Sequence, residues 1–123
     1  MQRGILSIVG VVLLAVAGWS SAHHSHANYW ETEWIDFEGT VQEVHWMNPH
    51  TWIHLQVLDA DGKPRAWALE GTGVTALRQN GVMEESVQVG DVLSVRCHPL
   101  KDGSRGCLLG FITLADGTER EFD

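Results

Sequence analysis

Histidine is the residue type with the most chemistry to offer here: there are seven in 123 residues, and six fall into two groups. His23, His24 and His26 follow directly on an apolar run that ends in Ser20-Ser21-Ala22. If the chain is cut after Ala22, His23 becomes the amino terminus, and its α-amine and imidazole Nδ1 can chelate one metal ion. One further imidazole completes a T-shaped set of nitrogens, a histidine brace. Copper(II) is the divalent ion that such donors hold most tightly. His24 and His26 are spare donors beside it. The competing reading is a solvated, histidine-rich tail that takes up metals incidentally.

His45, His50 and His54 form the second group. Val44, Trp46, Ile53 and Leu55 read as inward positions, and successive strand residues alternate faces, so His45 and His54 point outward. Folding the strands back at Asn48-Pro49 sets Glu43 opposite His54, His45 opposite Trp52 and Met47 opposite His50. Such a face offers imidazoles, a carboxylate and a thioether to a metal. The alternative is that Trp52 and its neighbours receive the preceding segment, with the histidines as hydrogen-bonding filler. His98 reads as an exposed strand residue.

Cys97 and Cys107 flank Lys101-Asp102-Gly103. A three-residue hairpin loop pairing Leu100 with Ser104 would set the two cysteines directly opposite each other. In an oxidising compartment that geometry favours a disulfide; the rival is a two-thiolate metal site. No nucleophile elbow, phosphate loop or His-Glu-x-x-His helix is present, so the expectation is a binding protein and not an enzyme.

The elements that must position these residues read as strands. Phe37, Gly39 and Val41 lie on one phase, and Val44 and Trp46 on the other. The slip near Gln42-Glu43 predicts a bulge. Thr51, Ile53, Leu55 and Val57 alternate with polar residues in a second strand, and Asp61-Gly62 turns into a third around Arg65 to Glu70. Thr72 is placed to cap a short helix with Val74 and Leu77, ending near Asn80-Gly81. A fourth strand carries Leu93, Val95 and Cys97. The fifth, from Gly106 to Leu114, is apolar on both phases, so both its faces should be covered. Asp116-Gly117 turns into a short charged tail. The expected core is Val41, Val44, Ile53, Leu55, Val57, Leu69, Leu93, Val95, Leu109 and Phe111. The whole predicts an all-β chain with one short helix, a small five-stranded Greek-key barrel of OB type.

Arg3, the apolar Ile5–Ala17 and the small residues before His23 make residues 1–22 read as a cleavable signal peptide. The apolar core is too short for a comfortable membrane span, so no stable membrane insertion is expected after cleavage. Residues 23–35 read as a His-rich arm, pinned by Trp30 and Trp34, and 36–123 as the barrel domain, periplasmic or secreted. Eight Lys+Arg against sixteen Asp+Glu give a net charge of −8, and losing Arg3 makes the remainder one unit more acidic. Phosphate backbones would be repelled, so nucleic acid is a poor partner and none is expected.

The chain resembles a family of small secreted bacterial proteins classed as a domain of unknown function. The resemblance rests on His23-His24-Ser25, Phe37-x-Gly39-Thr40-Val41, Trp46-Met47-Asn48-Pro49-His50-x-Trp52 and Trp67-Ala68-Leu69-Glu70-Gly71. It continues through Ala76-Leu77-Arg78, Gly90-Asp91-Val92, His98-Pro99 and Leu114-Ala115-Asp116-Gly117. It implies no activity. From the residues, the expectation is an exported protein that binds copper through His23, helped by His24, His26 or the His45, His50 and His54 face. The alternative is an interaction module whose Trp/His face docks a partner protein or a small organic ligand without metal.

Overall fold

The computed structural model describes residues 26–123, so the expected signal peptide, His23 and His24 lie outside the described residues. Five strands close into a barrel: β1 (Ile35–His45), β2 (His50–Leu58), β3 (Pro64–Thr72), β4 (Val92–Pro99) and β5 (Gly106–Thr113). β1 is the hub, antiparallel to both β2 and β4. β2 continues to β3 and β4 to β5, both antiparallel. A parallel pairing of β3 with β5, Ala68 to Gly106 through Glu70 to Leu108, closes the ring. Three strands, a helix and two more strands with this closure is the expected OB-type barrel. Among the described residues, no helix is long and apolar enough to cross a membrane.

The core follows the period-two reading. Val41, Ile53, Leu55, Leu69, Leu93, Val95 and Leu109 are buried, and Val44 and Val57 pack partly buried against them. Phe111 is an exception. A register shift between Arg96 and Cys97 moves the phase of the β4–β5 ladder. Phe111 then lies opposite Arg96, half-buried beneath Trp34, and Ile112 takes the core position.

The charged tail is also more structured than its composition suggests. Glu119–Glu121 form a sixth strand, β6, along β5, all three residues exposed, and they deliver Phe122 into the core with no exposed surface. The Phe122 N–H donates to the Gly110 carbonyl and its own carbonyl accepts from Thr72 N–H, at 2.8 and 2.7 Å. The tail therefore plugs the barrel instead of trailing from it.

Helix α1 (Val74–Gln79) does not use Thr72 as its cap, because Thr72 is still paired in β3. Gly73 holds the N-cap position without a side-chain bond of its own. Asn48, from the β1–β2 connection, supplies the missing acceptor: its Oδ1 receives the Thr75 N–H at 3.3 Å. The Met47 carbonyl receives the Val74 N–H at 3.4 Å. The Asn48-Pro49 peptide bond is cis, and the connection it belongs to is the buttress for the helix start.

Cys97 and Cys107 are disulfide-bonded, with Cα atoms 5.7 Å apart and both side chains fully buried. They are not directly opposite each other. Leu100 N–H donates to the Gly106 carbonyl, and the ladder sets Pro99 opposite Cys107 and Cys97 opposite Leu109. The loop is thus two residues longer than the tight hairpin expected, and the bond runs diagonally. Asp102 holds the extra length: its Oδ1 accepts from both the Ser104 N–H and hydroxyl.

Candidate metal centre

One extra residue in β1 decides what the barrel shows to the outside. Val41 pairs with Leu55, but Glu43 pairs with His54, leaving Gln42 without a partner. This bulge resets the alternation, so Val41 and Val44 both face the core while Glu43 and His45 share the outer face. Without it, Glu43 and His45 would continue the inward phase of Val41.

The result is a group of three metal-binding side chains. Donor atoms of Glu43, His45 and His54 all lie within 4.8 Å of one another. His45 Nε2 is 3.0 Å from Glu43 Oε1. The imidazoles of His45 and His54 meet edge to face, with centroids 5.5 Å apart. A metal with bonds of about 2.0–2.2 Å gathers its ligand atoms to within about 3–4 Å of each other. Glu43 and His45 are exposed and His54 half-buried, so small rotamer changes can close that difference. Two imidazole nitrogens and one carboxylate oxygen suit copper or zinc, and the exposed side leaves positions for further ligands.

The remaining expected donors are distributed differently. Met47 does not face His50: β1 ends at His45, and Met47 sits exposed in the connection. His50 pairs instead with Thr72 of β3. Its Nδ1 lies 3.3 Å from Glu70 Oε1. Trp52 is half-buried in a row that runs from His45 through Trp52 to Glu70. His26 is engaged within the arm, its Nδ1 hydrogen-bonded to Glu31 Oε1 at 3.0 Å.

Glu70 and Tyr29 were invisible as site residues in the sequence. Glu70 is on the outer phase of β3, yet only 3 % exposed, because the arm covers it. The Tyr29 hydroxyl donates to Glu70 Oε2 at 2.7 Å. Burial, then the hydrogen bond and charge of Glu70, push the Tyr29 phenol well above its usual value. Glu70 thus serves two partners with its two oxygens, Tyr29 on one and His50 on the other. No periodicity marks residues 26–34, so the sequence carries no signal for this contact.

The arm itself is pinned at three points. Tyr29 bridges to Leu100, and Trp30 N–H donates to the Pro99 carbonyl at 2.9 Å. The Trp30 ring stays exposed beneath Lys101 Nζ, 5.1 Å from its centroid. Trp34 stacks on His98 at 3.8 Å, and any Cβ at Gly110 would run into the Trp34 ring. His98 is consequently buried and not exposed: its Nδ1 meets the Glu33 carbonyl at 2.7 Å. The arm explains why β5 is apolar on both phases, since it covers the second face.

A family model described as a family of unknown function, DUF6152, matches residues 11–109. The chain belongs to that family. No curated protein matches it. The DUF6152 match takes in the β1 bulge, the Glu43, His45 and His54 group, His50, Glu70 and both cysteines, and it stops short of β6 and Phe122.

Proposed function

We propose that the protein is exported to the periplasm and binds Cu(II), the barrel offering Glu43, His45 and His54 as one set of donors. The observation that carries this reading is the mutual approach of those three donor atoms on an outward face. A bulge and a strand register set it up, not a chance meeting of long surface side chains. Neutral imidazoles match copper(II), and the Glu43 carboxylate offsets part of its charge. A bound metal would take the place of the 3.0 Å contact between His45 Nε2 and Glu43 Oε1. The second set of donors is the mature amino terminus: cleavage after Ala22 frees the α-amine and imidazole of His23 as a chelate.

The test begins with mass spectrometry of the mature protein, which should start at His23. Cu(II) titration of that protein is then compared with His45→Ala/His54→Ala. The double variant should weaken the barrel site at least tenfold while the circular dichroism of the barrel stays unchanged. Binding equal to the native protein would overturn the assignment of those residues.

A further inference from the structure

We infer that the open edge of β1, over residues 35–39, docks an extended segment of a partner protein in which basic residues alternate with apolar ones. The inference is independent of the copper reading, since Glu43, His45 and His54 belong to the part of the ladder where β1 and β2 are already paired.

The two neighbours of β1 do not cover it equally. Residues 35–40 pair with β4, whereas β2 joins only from Thr40 onwards, with Thr40 opposite Gln56. Among the described residues, therefore, 35–39 have a strand on one side only. Val41 bonds towards β4: its N–H donates to the Asp91 carbonyl, and its carbonyl accepts from the Gly90 N–H. Bonding direction alternates along a strand, so Ile35, Phe37 and Gly39 are turned to β4 as well. The N–H and C=O of Asp36 and Glu38 are turned to the open side. Such a row of outward main-chain donors and acceptors is a template for another strand.

The side chains around that edge select what can fill it. A groove of about 460 Å³ runs between the edge and the end of β2, with Leu58 and Val92 among its walls. These two come from the strands that flank β1 and are 67 % and 56 % exposed. Phe37 packs against the core, its ring 4.6 Å from that of Trp67. On the other phase Asp36 and Glu38 are exposed. Asp36 is bound to Arg96 at 2.8 Å, and Glu38 joins no ion pair among the described residues. An added strand thus meets an apolar position opposite Phe37, with a carboxylate on either side of it. The complement is basic, apolar, basic. A second copy of this edge does not fit. Aligned antiparallel on Phe37, it would set Asp36 of each chain against Glu38 of the other, and like charges directly opposite are destabilising. The net charge of −8 draws a basic partner to the surface as a whole. In strand addition the main-chain bonds supply affinity and the alternating side chains supply selectivity.

The probe is a short peptide of alternating lysine and valine, capped at both ends and titrated calorimetrically into the purified, metal-free protein. It should bind one to one, and the same peptide with glutamate for lysine should not bind. A lysine opposite Glu38 forms the pair that exchanges main-chain bonds, while a valine opposite Phe37 does not. N-methylation of the lysines should therefore abolish binding, and N-methylation of the valines should leave it intact. Hydrogen exchange of the Glu38 amide should slow in the complex. Glu38→Lys places like charges on both strands and should weaken binding about tenfold or more, with the circular dichroism of the barrel unchanged. Leu58→Ser, at an exposed position, should weaken it without changing any charge. Binding that survives lysine N-methylation, or that neither variant alters, would overturn the inference, because the peptide is then held by surface charge alone. Failure of the basic peptide to bind would overturn it too. So would a dimer in sedimentation that Glu38→Lys alters, since the occupant is then a second copy. Copper titration of Glu38→Lys should match the native protein, so the docking edge and the metal set stand or fall separately.

Discussion

The hydroxyl of Tyr29 donates a 2.7 Å hydrogen bond to Glu70, a carboxylate that the arm itself buries against the outside of the barrel. The bond joins residues 41 positions apart, and it is the polar centre of the arm's attachment. Tyr29→Phe keeps the ring and removes the donor, leaving a buried carboxylate one partner short. A hydrogen bond to a charged group is worth about 1.5–3 kcal/mol, and the variant should lose stability on that scale. Urea unfolding measures it, with hydrogen exchange of the Trp30 amide as the local readout.

The same contact predicts a pH dependence. Tyr29 is the one tyrosine in the chain, and its folded-state phenol is raised above the unfolded value of 10.0. The folded protein thus holds that proton more tightly than the unfolded chain. The contribution is complete below the unfolded value and is lost as the pH climbs towards the folded-state value. Thermal unfolding across the alkaline range should show the native protein losing stability faster than Tyr29→Phe. Parallel curves would mean that the phenol is not held in this way.

Gly73 should be intolerant of a side chain for a steric reason alone. Its φ of −71° is open to any residue. A Cβ there would collide with Asn48 Oδ1 and lie 2.9 Å from the Pro49 carbonyl oxygen. Gly73→Ala must therefore push the connection off the start of α1, at a cost of about 1–3 kcal/mol. Asn48→Ala removes one colliding atom and one cap, so the double variant should be less destabilised than the two single losses combined. Additive losses in urea unfolding would show that the two residues do not share a contact.

The β1–β2 face was legible because the core constrains it. Val41 and Val44 are both apolar at odd separation, so a strand carrying both must slip phase, and the slip dictates that Glu43 and His45 face His54. The β4–β5 hairpin was not legible to the same degree. A tight loop and the observed longer one both bring Cys97 near Cys107, and the longer one is held by contacts the spacing does not announce, the Asp102–Ser104 bonds and the Leu100–Gly106 bond among them. Phe111 and Ile112 could not be told apart, since a strand covered on both faces has no polar phase to mark the inside. Glu70 lay on a readable outer phase, but its burial depends on Tyr29, and an arm without periodicity gives no register to reason from.

Phe122 tests how far the tail belongs to the core. Composition marks Glu119-Arg120-Glu121 as solvated, and they are, but they act as the tether for a fully buried ring. Phe122→Ala should cost about 3–5 kcal/mol, the range for removing a buried aromatic side chain. A loss below about 1 kcal/mol in urea unfolding would show that the barrel closes without it.

The disulfide should be both inaccessible and stabilising. Cys97 and Cys107 have no exposed surface, so a thiol reductant has no path to either sulfur in the folded protein. Alkylation without reduction should find no free thiol, and reduction should proceed only as fast as the barrel opens. The bridge closes a short loop, with a sequence separation of 10, so the cross-link itself should add only about 2–3 kcal/mol. Comparing oxidised and reduced protein in urea isolates that contribution, since the heavy atoms are the same in both. Cys97→Ala/Cys107→Ala should fall further, because it also removes two buried sulfurs and leaves a cavity beneath Leu109 and its neighbours. Rapid reduction of the folded protein, faster than its unfolding rate, would show that the sulfurs are reachable from outside and that the hairpin is looser than its packing indicates.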